Sequence, residues 1–294
     1  MKLPFSVLRS PGSKGWFLPY AEAFVRDQQP ATIIEAFAGS AILGLTLLDH
    51  GYGQRLVLAE KDPELYQFWV VALSDPKFAQ RVADWTLRFL AMQPEERYDF
   101  AVKSALRMQK SDPAFSVLLR SRLEFNGILR KGTALSIHRP TRNWWPPTLA
   151  ASLRFLYTAR KKIEVLPDAF EALRLTNRPD SYGFIDPPYT FGKKAPGHKL
   201  YRYPLSYNEH MELVRLLADW RGAWQMTSEF CPEMLRRLRE VKFDPPIEQC
   251  LKPMHTANGR LRMELVISRK SIIRSVEECQ VDRDAENICH ATHD

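Results

Sequence analysis

The stretch Tyr182–Tyr189, YGFIDPPY, constrains this chain more than any other. Tyr182, Phe184 and Ile185 favour a strand. Asp186 follows, and Pro187 and Pro188 cannot continue a central strand, because proline has no N–H to donate. Pro187 also keeps Asp186 out of helical backbone. The prediction is a stiff strand tip that presents a carboxylate, a backbone carbonyl and the ring of Tyr189. In a parallel α/β sheet the strand tip is where ligands bind. Alone, an acid followed by two prolines reads equally well as a loop, so the weight falls on what precedes it.

The preceding chain alternates strands and helices. Residues 31–37 read as a strand through Thr32, Ile33 and Ile34, and residues 42–49 as a helix with an apolar face. Between them, Phe37, Ala38 and Gly39 make a tight turn of the kind that holds nucleotide-type cofactors. The full GxGxxG spacing is absent, so the turn does not identify NAD. Arg55–Ala59 is a second strand ending at Glu60. An acid there takes the ribose hydroxyls of an adenosine cofactor, or serves as an N-terminal charge for the helix that Asp62 and Pro63 begin. Upstream, Pro11 and Gly12 form a turn that brings Lys14 near an anion or leaves it on a surface loop.

After Ser74-Asp75-Pro76 the text changes. Residues 75–162 are helical in outline and strongly basic: residues 101–165 hold thirteen Lys or Arg against three Asp or Glu. Such a patch is either an electrostatic footprint for a polyanion or a solvated basic face. Within it, Arg122, Asn126, Gly127, Arg130 and Lys131 surround a turn, and Arg139 and Arg142 lie in a loop with Trp144 and Trp145. Basic, amide and aromatic side chains pair with phosphates and base edges and stack on bases. A helix at 149–159 and a strand at 163–166 lead to Asp168, Ala169 and Phe170. Asp168 either accepts from the amino group of a bound adenine ring or caps a helix.

Beyond the DPPY stretch, residues 190–205 read as a loop beside the site. Ser206 and Glu209 form a capping box, and His210 on that helix is a packing or surface residue before it is a catalyst. Residues 222–227 read as a strand and 232–239 as a basic helix. Residues 248–254 and 261–268 flank Asn258-Gly259 as a closing hairpin, in which Leu261, Met263, Leu265 and Ile267 alternate with Arg262, Glu264, Val266 and Ser268. Residues 271–294 are an acidic, peripheral tail. The four cysteines are widely spaced and contain no CxxC pair, so no metal site is expected. No apolar run reaches a membrane span and the N-terminus has no secretory pattern, so the cytoplasm is the expected location.

A glycine turn, an acid after the second strand, a basic insert, a second acid and DPPY form one coherent site for S-adenosylmethionine. Its amino-acid part would sit at the Ala38–Gly39 turn, its ribose at Glu60 and its adenine at Asp168. The methyl would face Asp186 and Tyr189. The exocyclic amine of adenine is a poor nucleophile because its lone pair is delocalised. Hydrogen bonds from its N–H groups to Asp186 and to the Pro187 carbonyl favour a more tetrahedral nitrogen. In duplex DNA the base has to flip out first, and Tyr189 can stack on it.

Over residues 8–270 the chain resembles the DNA adenine-N6 methyltransferases of the Dam-like group. Their catalytic DPPY stands here as Asp186, Pro187, Pro188 and Tyr189. Their PFxGxGS is similar to Ala36-Phe37-Ala38-Gly39-Ser40-Ala41, with Ala41 in place of the second glycine. Their WxGGK resembles Ser10–Lys14, their NRxxYNG resembles Ser121–Gly127, and their late ELL strand resembles Glu264-Leu265-Val266. The order of motifs is that of the permuted class called alpha.

The resemblance implies an α/β, Rossmann-like methyltransferase sheet built from residues 1–74 and 163–270. It implies a mostly helical DNA target-recognition domain inserted at 75–162. The partner it implies is DNA bearing a short adenine-containing target, with a separate cognate restriction enzyme acting on the same sequence as a further expectation. Two rivals remain at this stage: methylation of another amine (cytosine N4, an RNA adenine or a protein amide), and a catalytically silent DNA-binding protein on the same scaffold.

Overall fold

Five parallel strands alternate with helices in this chain: β1 Thr32–Ala36, β2 Arg55–Ala59, β3 Ile163–Leu166, β4 Ser181–Ile185 and β5 Ala223–Glu229. A computed structural model describes residues 7–9, 12, 14–124, 127, 129, 145–188, 201–243, 247–255 and 261–269, without the side chains of 250–255 and 261–263. β6 Ile247–His255 and β7 Leu261–Arg269 complete one sheet in the order β3-β2-β1-β4-β5-β7-β6. β7 runs antiparallel to both of its neighbours. This is the Rossmann-like α/β sheet anticipated from the sequence. The order of strands reverses at β1, so the carboxyl ends of β1 and β4 bound a crevice, the usual ligand position in such sheets.

Side chains alternate across each strand, and two buried clusters result. Ile33, Leu56, Leu58, Tyr182 and Phe184 face one cluster with α1 Leu18–Gln28, α2 Ile42–Asp49 and α3 Pro63–Ser74. Ile34, Val57, Ala59 and Ile185 face the other. That second face is covered by α8 Ala169–Leu175, α9 Tyr207–Asp219 and α10 Pro232–Arg239. Trp220 and Trp224 are fully buried there, and their indole N–H groups donate to Leu173 O at 2.7 Å and Leu217 O at 3.0 Å. Both rings thus bury a large apolar surface without stranding a donor.

Between α3 and β3 lie α4 Phe78–Ala91, α5 Pro94–Ser111, α6 Pro113–Leu123 and α7 Leu149–Ala159. Their apolar faces join the first cluster, so the helical segment shares its core with one face of the sheet. Sequence reading missed α6. Every residue from Ala114 to Leu123 is buried, Arg120 and Arg122 included, so the helix has no polar stripe to reveal its period. The alternation along β7 also misleads. Glu264, Val266 and Ser268 are as buried as Leu265 and Ile267, because β7 lies inside the sheet and β6 forms its edge.

Candidate active site

The turn from β1 into α2 is built on unusual backbone. Phe37, Gly39 and Ala41 all have left-handed φ, at 64°, 50° and 51°. Such geometry costs little for glycine and roughly 1–2 kcal/mol for a residue with a Cβ. The turn is held from three sides. Gly39 N–H donates to Glu60 Oε2 at 2.8 Å, Trp69 Nε1 donates to Gly39 O at 3.3 Å, and Ala41 N–H donates to Ala38 O at 2.6 Å. Beneath the turn, Glu35 Oε2 accepts from Gly44 N–H at 2.6 Å, in the first turn of α2. Burial pushes the Glu35 carboxyl up to about 8, and the Gly44 and Leu43 amides only partly offset it. Glu60 rises to about 7 for the same reason, with the Asp62 and Gly39 amides opposing.

At the tip of β4, Asp186 is fixed through Oδ1. Lys14 Nζ lies 3.0 Å away and Thr227 Oγ1 donates at 2.7 Å. Thr227 is fully buried on β5, beside β4. The Lys14 ammonium also meets Glu264 Oε1 at 3.1 Å and donates to Gly12 O at 3.0 Å. Burial works against the Lys14 charge, but Asp186 and Glu264 more than offset it and hold its pKa above the ordinary value. Tyr201 completes this pocket; burial and the Asp186 charge push its hydroxyl up to about 12.

A second ionic group closes the other side. Arg202 donates through Nε to Asp62 Oδ2 at 2.8 Å and through Nη1 to Glu64 Oε2 at 2.6 Å. Arg120 on α6 reaches the same Glu64 oxygen at 3.1 Å. Burial disfavours the Glu64 carboxylate, yet Arg202 and Arg120 hold it below its ordinary value. Lys14, Asp186 and Tyr201 on one side and Asp62 and Arg202 on the other line a cleft of about 1050 Å³ with its solvent-open mouth included.

The cleft brings together Lys14, Phe37, Ala38, Gly39, Glu60, Asp186, Pro188 and Gly127 from the sequence-predicted set. Pro187 is buried behind it. Asp168 caps α8, accepting from Glu171 N–H at 2.8 Å, while Ala169 and Phe170 pack into the second cluster. None of those three is among the described residues of the cleft wall.

Arg122 is buried in this structure, donates to Val7 O at 2.8 Å and lies over Trp145. Gly127 has φ 72°, and a Cβ there would come within 2.5 Å of the Arg9 backbone. Arg122 and Gly127 therefore brace the N-terminal segment that leads to Lys14. Arg160, Lys161 and Lys162 form a turn running into β3, at the end of the sheet opposite the cleft. Tyr189, Asn126, Arg130, Lys131, Arg139 and Arg142 lie outside the described residues, as do the 190–200 segment, Asn258-Gly259 and the 271–294 tail. His210 is buried as packing, and burial lowers it to about 4.

Sequence reading assigned no role to Glu35, Thr227, Glu264, Tyr201 or Arg202. An acid in the middle of the β-branched run TIIEA was a usable signal for Glu35. Thr227 and Tyr201 had none, since a hydroxyl in a strand or loop is commonplace.

The family of D12 class N6 adenine-specific DNA methyltransferases matches residues 10–243. The chain belongs to this family. It is a methyltransferase that uses S-adenosylmethionine to methylate the N6 amine of adenine in DNA, site-specifically. Several solved structures are similar in outline to this methyltransferase. A candidate methyltransferase, yhhF, from Escherichia coli is 13% identical over 90% of this chain and 92% of that one, with a TM-score of 0.38. The precorrin-6y C5,15-methyltransferase of Geobacter metallireducens is 10% identical over 86% of each chain, with a TM-score of 0.36. An rRNA methylase from Streptococcus thermophilus is 10% identical over 85% of this chain and 94% of that one, with a TM-score of 0.34. No curated protein matches the methyltransferase in sequence. No helix among its described residues is long and apolar enough to cross a membrane.

The methyltransferase has residues that fit its cofactor. A left-handed turn opens at the sheet's switch point, and a buried carboxylate, Glu60, stands on the cleft wall at the neighbouring strand tip.

Proposed function

We propose that Asp186 is the group that activates the target amine, and that the fixed orientation of its carboxylate is what the surrounding residues are built to secure. The observation that carries this is the double hold on Oδ1 by Lys14 and Thr227 at the edge of the cleft. Bound S-adenosylmethionine supplies an electrophilic methyl on a sulfonium. Asp186 accepts one N6–H of the flipped adenine, and the Pro187 carbonyl accepts the other. Both bonds withdraw the lone pair from the ring and direct it along the line of attack. Positive charge then grows on N6 beside the Asp186 carboxylate, and the proton leaves N6 to water. Tyr189 stacks on the base and keeps it out of the helix.

Phe37, Ala38 and Gly39 cradle the amino-acid part of the cofactor, with Lys14 nearby, and Glu60 accepts from the ribose. Glu60 already accepts two backbone N–H groups, but a carboxylate has lone pairs for more. Asp168, Ala169 and Phe170 bound the adenine ring of the cofactor. In support, Glu60 N–H donates to Leu166 O at 3.0 Å, so the tips of β2 and β3 adjoin.

Residues 1–74 and 163–270 form the catalytic domain and 75–162 the target-recognition part, with 271–294 peripheral. Asn126, Arg130, Lys131, Arg139 and Arg142 contact DNA. Arg122 and Gly127 act from behind, holding the segment that carries Lys14. The target is a short adenine-bearing sequence, the setting is the cytoplasm, and a cognate restriction enzyme reads the same sequence.

The test is methylome sequencing of plasmid DNA from cells expressing the chain or its Asp186→Ala variant. N6-methyladenine at one short motif, absent with the variant, is the expected result. Equal methylation by the variant overturns the role of Asp186.

A further inference from the structure

Among the described residues that line the cleft, Tyr203 is the aromatic one left exposed, at 39%. Phe184 is buried in the first cluster, Phe37 packs against the second, and Tyr201 is half-buried beside Asp186. An exposed tyrosine is ordinary on an open surface. On a cleft wall it offers a flat, largely apolar ring to whatever enters. The backbone of Tyr203 is fixed on both sides. Before it, Arg202 donates to Asp62 Oδ2 at 2.8 Å and to Glu64 Oε2 at 2.6 Å. After it, Leu205 is buried in the second cluster, and Glu209 of the capping box that opens α9 accepts from Lys61 Nζ at 2.7 Å. None of these anchors uses the Tyr203 side chain, so the ring is held at the cleft without being buried. Stacking on a ring held in this way loses less conformational freedom than ordering a loose one.

The anchors also say which ligand the ring meets. Lys61, Asp62 and Glu64 directly follow Glu60, and Asp62 N–H donates to Glu60 Oε1 at 2.9 Å. Tyr203 is therefore tied, before and after, to the segment that carries Glu60. Glu60 stands at the tip of β2 and Asp186 at the tip of β4, with β1 between them. The target amine belongs at Asp186 and the ribose of the cofactor at Glu60. Adenine is bonded directly to that ribose, so a ring tied beside Glu60 is on the adenosine side of the cleft. We propose that Tyr203 stacks on the adenine ring of bound S-adenosylmethionine. The proposal rests on Glu60 as the ribose acceptor, and it adds an aromatic face to Asp168, Ala169 and Phe170 around the same ring.

The experiment is equilibrium titration of wild type, Tyr203→Ala, Tyr203→Phe and Glu60→Gln with S-adenosylmethionine, with adenosine and, separately, with a labelled DNA duplex in the absence of cofactor. Tyr203→Ala is expected to weaken S-adenosylmethionine and adenosine by a similar factor, roughly 5–150-fold, the range for one base on one aromatic ring. Its Kd for the duplex is expected to stay within about twofold of wild type. Tyr203→Phe, which keeps the ring, is expected to bind both adenine-bearing probes within about threefold of wild type. This variant separates a stacked ring from damage to the segment, since it restores the ring and nothing else. A loss of less than about fivefold for S-adenosylmethionine in Tyr203→Ala overturns the proposal. So does weakened duplex binding with unchanged cofactor binding, which would give the ring to the DNA side. Wild-type affinity for S-adenosylmethionine in Glu60→Gln overturns instead the ribose reading on which the proposal rests.

Discussion

Thr227 Oγ1 and Lys14 Nζ approach the same oxygen of Asp186, at 2.7 and 3.0 Å, from a neighbouring strand and from the N-terminal segment. The hydroxyl lies on buried β5 and the ammonium on a turn, so the two holds are independent. Thr227→Val keeps the shape and removes the hydroxyl. It should lower kcat by about 10–150-fold, the range for one lost hydrogen bond to a charged group. Single-turnover methyl transfer reads this directly, and an unchanged rate constant would show that the Thr227 hydroxyl is not needed to orient Asp186.

Glu35 gives a pH dependence of known sign. Its carboxyl has an ordinary value of 4.5 and stands at about 8 in the folded chain. The folded state thus binds the proton more tightly than the unfolded state. This contribution to stability is fully present below about 4.5 and is lost as pH rises towards about 8. Glu35→Gln, permanently neutral, should not show this loss. Its Tm should fall less than that of wild type between pH 5 and pH 8; parallel curves would refute the shift.

Ala41 occupies a left-handed position at φ 51° that a glycine adopts without strain. Ala41→Gly should stabilise the fold by about 0.5–1 kcal/mol, after subtracting the extra freedom of glycine in the unfolded chain. Urea unfolding would report this as a higher midpoint at constant slope. A lower midpoint would mean that the Ala41 methyl contributes packing that outweighs its backbone strain.

Gly127 touches the backbone of Arg9, where a Cβ would stand 2.5 Å from both the carbonyl carbon and its oxygen. Gly127→Ala must therefore displace the segment that leads to Lys14. Methylation should fall at least tenfold and Tm should drop, with little change in the salt dependence of DNA binding. Retained activity would separate the turn at Gly127 from the position of Lys14.

Arg122 and Arg130 should behave differently despite their similar place in the sequence. Removing the Arg130 charge should reduce the slope of log affinity against log salt by about 1, as for one lost phosphate contact. Arg122→Met should leave that slope alone and lower stability, because Arg122 is bound to Val7 O inside the protein. A reduced slope for Arg122→Met would return it to the DNA surface.

The parts legible from sequence were those with short-range causes. The strands at β1, β2, β3 and β4 follow from β-branched and apolar runs, and the Ser206–Glu209 capping box is formed as its spacing predicts. The cleft-lining positions of Gly39, Glu60 and Asp186 follow from strand tips in a parallel sheet. Contacts between distant segments were not legible. The meeting of Lys14, Thr227 and Glu264 at Asp186 depends on β7 entering between β5 and β6, which no local pattern states. The burial of Arg122 was not legible for a related reason: a guanidinium reads as surface unless the carbonyl that receives it is known.

The grip of Arg202 on Asp62 and Glu64 has a consequence for the integrity of the cleft wall. Asp62 and Glu64 open α3, Arg202 follows β4 in the chain, and Arg120, which shares Glu64, comes from α6. Three segments distant in the chain thus meet in one ionic group, so a substitution in any of them is felt by the other two.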